Sequence, residues 1–313
     1  MKRHFANMVF ALILIAYTVY AALDTFVIVR VLTPETLPTA TAEASTAPTG
    51  APTAVPTATE SPAEQTTTAP ISTDTEYHDD QIDIVLTTMR VENTTVYVAD
   101  AQLADISLLK TALAGNTYAR NLTETTSVQA ANAGAILAIN GDYYGAQERG
   151  YVLRNGVLYR ASAQSGTDAL VIAADGNFRI INEGETSADT LVREGAWQVL
   201  TFGPALVKDG QVTVSSSDEV GRAMTSNPRT AIGQISEGHY LLVVSDGRTK
   251  ESTGLSLRQL AELMQSLGAQ VAYNLDGGGS STMVFQGRVV NNPTTNGRSI
   301  RERSVSDIVY IGY

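Results

Sequence analysis

Seven of the ten prolines (Pro34, Pro38, Pro48, Pro52, Pro56, Pro62 and Pro70) crowd into residues 33–75, a stretch built almost wholly of Thr, Ala, Pro, Ser and Glu. Such a stretch has too little apolar bulk to offset the entropy of ordering its backbone, so it reads as an extended spacer. It divides the chain. Before it, Lys2 and Arg3 precede a largely apolar run from Phe5 to Leu23, and apolar character resumes after Asp24 at Phe26–Val29. At ~1.5 Å per residue that run is long enough to span a bilayer core. The chain therefore divides into a cytoplasmic N-terminus (1–4), a transmembrane anchor or signal segment (5–30), a Thr/Pro/Ala-rich linker (31–78) and one globular domain (79–313). Positive charge at the N-terminus places the domain outside the cytoplasm, on a stalk that holds it off the membrane. Cleavage near Ala21-Ala22, giving a secreted protein, is the alternative.

A formal charge of −11 argues against nucleic acid or an anionic membrane surface as partner. With no cysteine there is neither a disulfide framework nor a thiolate metal site. The three histidines, His4, His78 and His239, are too scattered to suggest a Ser-His-Asp triad or a His-rich metal centre.

Within the domain, Ile82–Leu86 and Thr95–Ala99 have strand composition. Leu103–Leu113 has helical spacing, with Gly115 placed to stop it, and Thr125–Ala133 reads as a helix ended by Gly134. Ala135–Ile139 is a buried strand leading into Asn140-Gly141-Asp142-Tyr143-Tyr144. Hairpins are expected around Asn155-Gly156, Asp175-Gly176-Asn177 and Asp209-Gly210. Ser256 and Gln259 form a capping box before the apolar stripe Leu260, Leu263, Met264 and Leu267, and Gly268 stops that helix. It joins the strands Tyr240–Val244 and Gln270–Leu275 in a strand-helix-strand unit, so the two strands are expected to be parallel, with their carboxyl ends on one side. The fold class is α+β or mixed α/β: a central mixed β-sheet with flanking helices and extra β-hairpins, in a single domain.

Asp142, Asp246 and Asp276 each follow the carboxyl end of a buried strand and each is flanked by glycine, as expected of acids that converge on a ligand at a sheet edge. After Asp276 come Gly277, Gly278 and Gly279, whose missing Cβ atoms let a ligand approach main-chain N–H groups. Paired carboxylates suit glycosidic cleavage. Arg229, Arg248 and Arg303 suggest that the substrate is also anionic, because a guanidinium grips phosphate or carboxylate in bidentate fashion; Arg298 and Arg301 read as surface residues. Tyr143 and Tyr144 are candidates to stack on a sugar or to pack in the core. Ser280 and Ser281 read as hydrogen-bond donors, since no base accompanies them.

These motifs, with Gly203-Pro204, Pro228-Arg229-Thr230-Ala231-Ile232-Gly233 and Asn274-Leu275-Asp276 in the same order, resemble the phosphodiester glycosidase family. Tyr143-Tyr144 stand where that pattern has phenylalanines. The resemblance implies hydrolysis at the anomeric carbon of a sugar joined through phosphate, in an extracellular or cell-envelope glycoconjugate. It adds Asn140, Gly141, Thr230 and Asn274 to the expected substrate contacts. Asp276 would attack or activate water, Asp142 or Asp246 would assist, Arg229 and Arg248 would take the phosphate, and the Gly277–Gly279 amides would hold substrate oxygens. Two alternatives stand beside it. One is a phosphodiesterase that uses Asp142, Asp246 and Asp276 around Ca²⁺ or Mg²⁺; the other is a non-catalytic polysaccharide-binding module.

Overall fold

The computed structural model describes residues 2–35, 70–215 and 226–313. Residues 36–69, most of the expected spacer, lie outside the described residues. The N-terminal helix is Lys2–Phe26, and Asn7–Thr25 is long and apolar enough to cross a bilayer, a test that a signal sequence also passes.

The largest sheet has nine strands, in the order Gln211–Val212, Ala205–Lys208, Val271–Leu275, Arg229–Ser236, His239–Ser245, Thr94–Leu103, Ile82–Val91, Glu76–His78 and Ile71–Ser72. Its last two strands come from residues assigned to the linker by composition. A second sheet runs Arg288–Val289, Met283–Phe285, Leu137–Asn140, Asp307–Ile311 and Leu109–Leu113. A third runs Val157–Arg160, Val152–Arg154, Ala196–Leu200, Asp168–Ala173 and Phe178–Asn182. The ladders of all three sheets are antiparallel.

Strands His239–Ser245 and Val271–Leu275 do run the same way, but they are not neighbours. Arg229–Ser236 lies between them and pairs with both, setting Arg229 opposite Ser245 and Thr230 opposite Leu275. The strand-helix-strand unit is thus a crossover over one intervening strand, and it brings the start of one strand and the ends of two others to a single edge.

The helix expected over Leu103–Leu113 does not form. Asp105 caps a short turn at Ile106–Leu108, and Leu109–Leu113 is a strand whose odd residues point inward. It pairs with Asp307–Ile311, a partner about 200 residues downstream that local spacing cannot reveal.

The main core lies between the first two sheets, where Ile82, Ile84, Ile232, Leu242 and Leu275 meet Leu137, Ile139, Phe285 and Val309. Helix Leu257–Ser266, with the Ser256/Gln259 capping box in place, covers the outer face of the nine-stranded sheet through Leu260, Leu263 and Met264. Helix Thr126–Ala133, capped by Thr125 and ended by left-handed Gly134, covers the outer face of the second sheet. The result is helix, sheet, sheet, helix, in which each apolar face has a partner.

Candidate active site

The two main sheets come together where Leu137–Asn140 and Val271–Leu275 end, and Asn140 ties them. Its Oδ1 accepts from Thr230 Oγ1 at 2.8 Å and from the Thr282 amide at 3.2 Å, while its Nδ2 donates to the Asp276 carbonyl at 2.6 Å. The Asp276 amide in turn donates to the Gly141 carbonyl at 3.3 Å. Asn140, Gly141 and Thr230, expected to touch substrate, form the frame behind the site.

Asp276 and Arg303 border two adjoining clefts. One, of about 280 Å³, is lined further by Asn121, Thr123, Tyr143, Ser280 and Ser304. The other, of about 450 Å³, is lined by Phe202, Asn227, Arg229, Arg248, Asn274 and Gly278. Tyr143, partly exposed in the first cleft, packs edge-to-face on Phe202 of the second, with ring centroids 5.8 Å apart.

Arg303 Nη2 donates to Asp276 Oδ2 at 3.1 Å, and its Nε and Nη2 both reach Ser280 Oγ, at 2.9 and 2.6 Å. Burial pushes the Asp276 carboxyl above the ordinary carboxylate range, although Ser280 and Arg303 both pull against it. In the larger cleft, Arg248 is held by the Thr295 carbonyl and Asn227 Oδ1. Arg229 Nε donates to the Leu255 carbonyl at 2.9 Å. Asn274 donates to the Gly203 carbonyl at 2.7 Å, and its Oδ1 is a buried acceptor with no partner among the described residues.

The triple glycine is dictated position by position. A Cβ at Gly277 would lie 2.9 Å from the Pro228 carbonyl oxygen and one at Gly279 would lie 2.5 Å from Thr295 Oγ1, while Gly278 takes a left-handed φ of 62°. The Gly278 amide donates to the Pro228 carbonyl at 2.8 Å. That amide therefore holds the loop rather than a substrate oxygen, and Gly279 is buried.

Asp142 and Asp246 do not line the clefts that Asp276 borders. Asp142 accepts from the Tyr144 and Thr201 amides at 3.1 and 2.8 Å and from Arg154 Nη2 at 2.8 Å. The same guanidinium donates to Asp307 Oδ2 at 3.0 and 2.9 Å, so two buried carboxylates share one cation. Loss of solvation and the nearby Asp142 push the Asp307 carboxyl up to about 8. Asp246 takes the Asn292 amide and side chain at 2.8 and 3.0 Å and the Tyr97 hydroxyl at 3.3 Å, which pins the loop carrying Thr295.

Tyr144 and Ser281 are buried, and the Tyr144 ring packs 5.8 Å from the Arg154 guanidinium. With two of the three acids occupied by internal donors, the trio does not form a shared Ca²⁺ or Mg²⁺ site. Among the described residues no group of His, Cys, Asp or Glu is arranged to hold an ion.

Arg154 and Asp307 escaped the reading of the sequence. The signal was present: each is a charge at the end of an otherwise apolar strand, Val152–Arg154 and Asp307–Ile311.

Comparison with known proteins agrees with this architecture. The chain is 32% identical over 195 residues to the SPbeta prophage-derived uncharacterized protein YomE of Bacillus subtilis, covering 61% of this chain and 30% of that one. It is 31% identical over 109 residues to N-acetylglucosamine-1-phosphodiester alpha-N-acetylglucosaminidase of Mus musculus, covering 31% of this chain and 21% of the relative. The chain thus spans less than a third of the length of these curated relatives. In fold it is similar to the zebrafish N-acetylglucosamine-1-phosphodiester alpha-N-acetylglucosaminidase catalytic domain auto-inhibited by pro-peptide, with TM-score 0.60, 20% identity, and 74% and 83% of the two chains covered. A hypothetical protein from Synechocystis has TM-score 0.56 at 15% identity, covering 74% and 62%. Residues 133–312, more than half of the chain and all of the loops just described from Asn140 to Arg303, match the phosphodiester glycosidase family, and the chain belongs to that family.

Proposed function

We propose that this chain hydrolyses a sugar-1-phosphodiester, adding water at the anomeric carbon and releasing a phosphate monoester. The observation that carries this reading is the Asp276–Arg303 pair in the wall shared by two clefts. A scissile bond laid across that wall has a carboxylate beside the anomeric carbon and a guanidinium beside the phosphate.

In this reading the sugar occupies the larger cleft, against Phe202 and the unpartnered Oδ1 of Asn274, and the aglycone runs through the smaller one past Tyr143. The bond from C1 to the phosphate oxygen breaks and its electron pair leaves with the phosphate. The water oxygen bonds to C1 and its proton is lost, with Asp276 as base, or as nucleophile in a two-step path. A phosphate is a good leaving group once its charge is met, so Arg303 and Arg248 supply what a second carboxylate would otherwise contribute. Asp142 and Asp246, with their oxygens filled, act as positioning residues.

The test uses the full chain in detergent with methyl α-N-acetylglucosaminyl phosphate in water enriched in heavy oxygen, followed by mass. Label in the released sugar is the expected result. Label in the phosphate would mean attack at phosphorus and would overturn the reading.

A further inference from the structure

The residues that follow the N-terminal helix are docked on the domain. Asn121 Nδ2 donates to the Ile28 carbonyl at 3.0 Å, at the helix exit. Arg30–Val31 pairs antiparallel with Ala119–Arg120. The Leu32 amide donates to the Tyr118 carbonyl at 2.9 Å, and the Leu32 side chain packs on Leu113, Tyr118, Tyr144 and Val152. The Glu35 amide then donates to the Leu158 carbonyl at 3.1 Å and its carboxylate accepts from the Ala161 amide at 3.1 Å. The strap takes in the first residues of the Thr/Pro stretch, and the described chain resumes with Ile71–Ser72 in the nine-stranded sheet. The segment that directly follows the N-terminal helix is therefore docked on the domain rather than part of a spacer between the two.

Asn121 also lines the smaller cleft, with Asp276 and Arg303. The residue that holds the helix exit is thus part of the candidate active site. Among the described residues nothing buries the helix along Asn7–Thr25, and that apolar span ends three residues before Ile28, where Asn121 holds the chain.

We infer that the cleft opens at the bilayer surface and that the aglycone of the substrate is a membrane lipid, making the substrate a lipid-linked glycosyl phosphate. The inference rests on the glycosidase reading for its chemistry, and on the strap for its geometry. A lipid aglycone lies along the smaller cleft toward Asn121 and the helix, while its sugar sits across the Asp276–Arg303 wall, away from the membrane.

Two measurements test it, one independent of catalysis. The native chain has no cysteine, so Thr123→Cys at the cleft and Glu237→Cys each give a single fluorophore site. Glu237 lies at the far end of the Arg229–Ser236 and His239–Ser245 ladder, roughly 23 Å from the cleft edge. With the full chain in vesicles containing spin-labelled phosphatidylcholine headgroups, quenching at position 123 should exceed that at 237 several-fold; equal quenching would overturn the placement. The second compares the phytyl and methyl esters of α-N-acetylglucosaminyl phosphate in the same vesicles, for the native chain and Leu32→Asp. Undocking the strap should lower turnover of the phytyl ester about tenfold and leave the methyl ester within about twofold, which also shows that the variant folds. Equal changes on both esters, or none on either, would overturn the lipid inference. No turnover of either ester by the native chain, with position 123 strongly quenched, would instead sink the glycosidase reading on this sugar and, with it, the lipid substrate, while the membrane placement would stand.

Discussion

Asp142 and Asp276 sit on touching loops, each after a strand that carries an asparagine near its end and each beside glycine, yet they do opposite work. Asp276 faces two clefts and meets one guanidinium at its edge. Asp142 is sealed under the same loops with two amides and the buried Arg154. The difference is the cover. Over Asp142 lie Tyr144 and the third sheet, which bring their own donors; Asp276 is largely buried too, but its exposed edge borders the two clefts. A carboxylate whose acceptor sites are all met inside the protein stabilises a shape, whereas one left at a cleft with a raised pKa is equipped for chemistry.

The contrast can be broken most sharply at Asp276 itself. Asp276→Asn should lower turnover by on the order of 10²–10⁴-fold, with an unchanged urea midpoint; near-normal activity would remove Asp276 from the mechanism. Next in size, Arg154→Met should cost about 3–5 kcal/mol in urea unfolding, because it leaves Asp142 and Asp307 buried without their cation. A loss under 1 kcal/mol would mean that the cluster is far less dry than its burial indicates.

Asp307 sharpens the same point through pH. Its folded carboxyl is pushed up to about 8, above the unfolded range near 4. The unfolded chain therefore ionises first, so the stability that Asp307 contributes is complete below about pH 4 and is lost as pH rises to about 8. Asp307→Asn should flatten this fall, seen as a native-minus-variant difference in urea midpoint that shrinks or reverses between pH 5 and pH 8. A difference that is constant with pH would contradict it. The smallest readout is a shift in pH dependence, at Arg303. Because it pulls down the raised Asp276 carboxyl, Arg303→Met should shift the acid limb of kcat/KM to higher pH, since the ionised form is the active one. An unmoved limb would detach the pair from the rate.

Much of the scaffold was legible locally. The turns at Asn155-Gly156 and Asp209-Gly210 take the left-handed conformations that their residues favour, and both helices over the outer faces form within a residue or two of their expected bounds. The helix expected at Leu103–Leu113 was lost because a strand's partner can lie anywhere in the chain, and there the partner outweighs the spacing. Of the expected substrate contacts, Tyr143, Arg229, Arg248, Asn274, Gly277, Gly278, Ser280 and Arg303 border the clefts, whereas Asn140, Gly141, Tyr144, Thr230, Gly279 and Ser281 lie behind them. Motif residues that frame a loop and residues that face its ligand look alike in sequence, since both are held by close fit.

The sequence by itself determined several turns, the two helices over the outer faces, and that three acids and three glycines sit at strand ends, because these follow from backbone preference and apolar period. Only the tertiary structure decided which acid stays open to a ligand, that Arg154 is shared by two buried carboxylates, and that the helix exit is strapped beside the cleft. Those depend on what packs over each side chain, and solvation is a property of the whole fold rather than of any stretch of it.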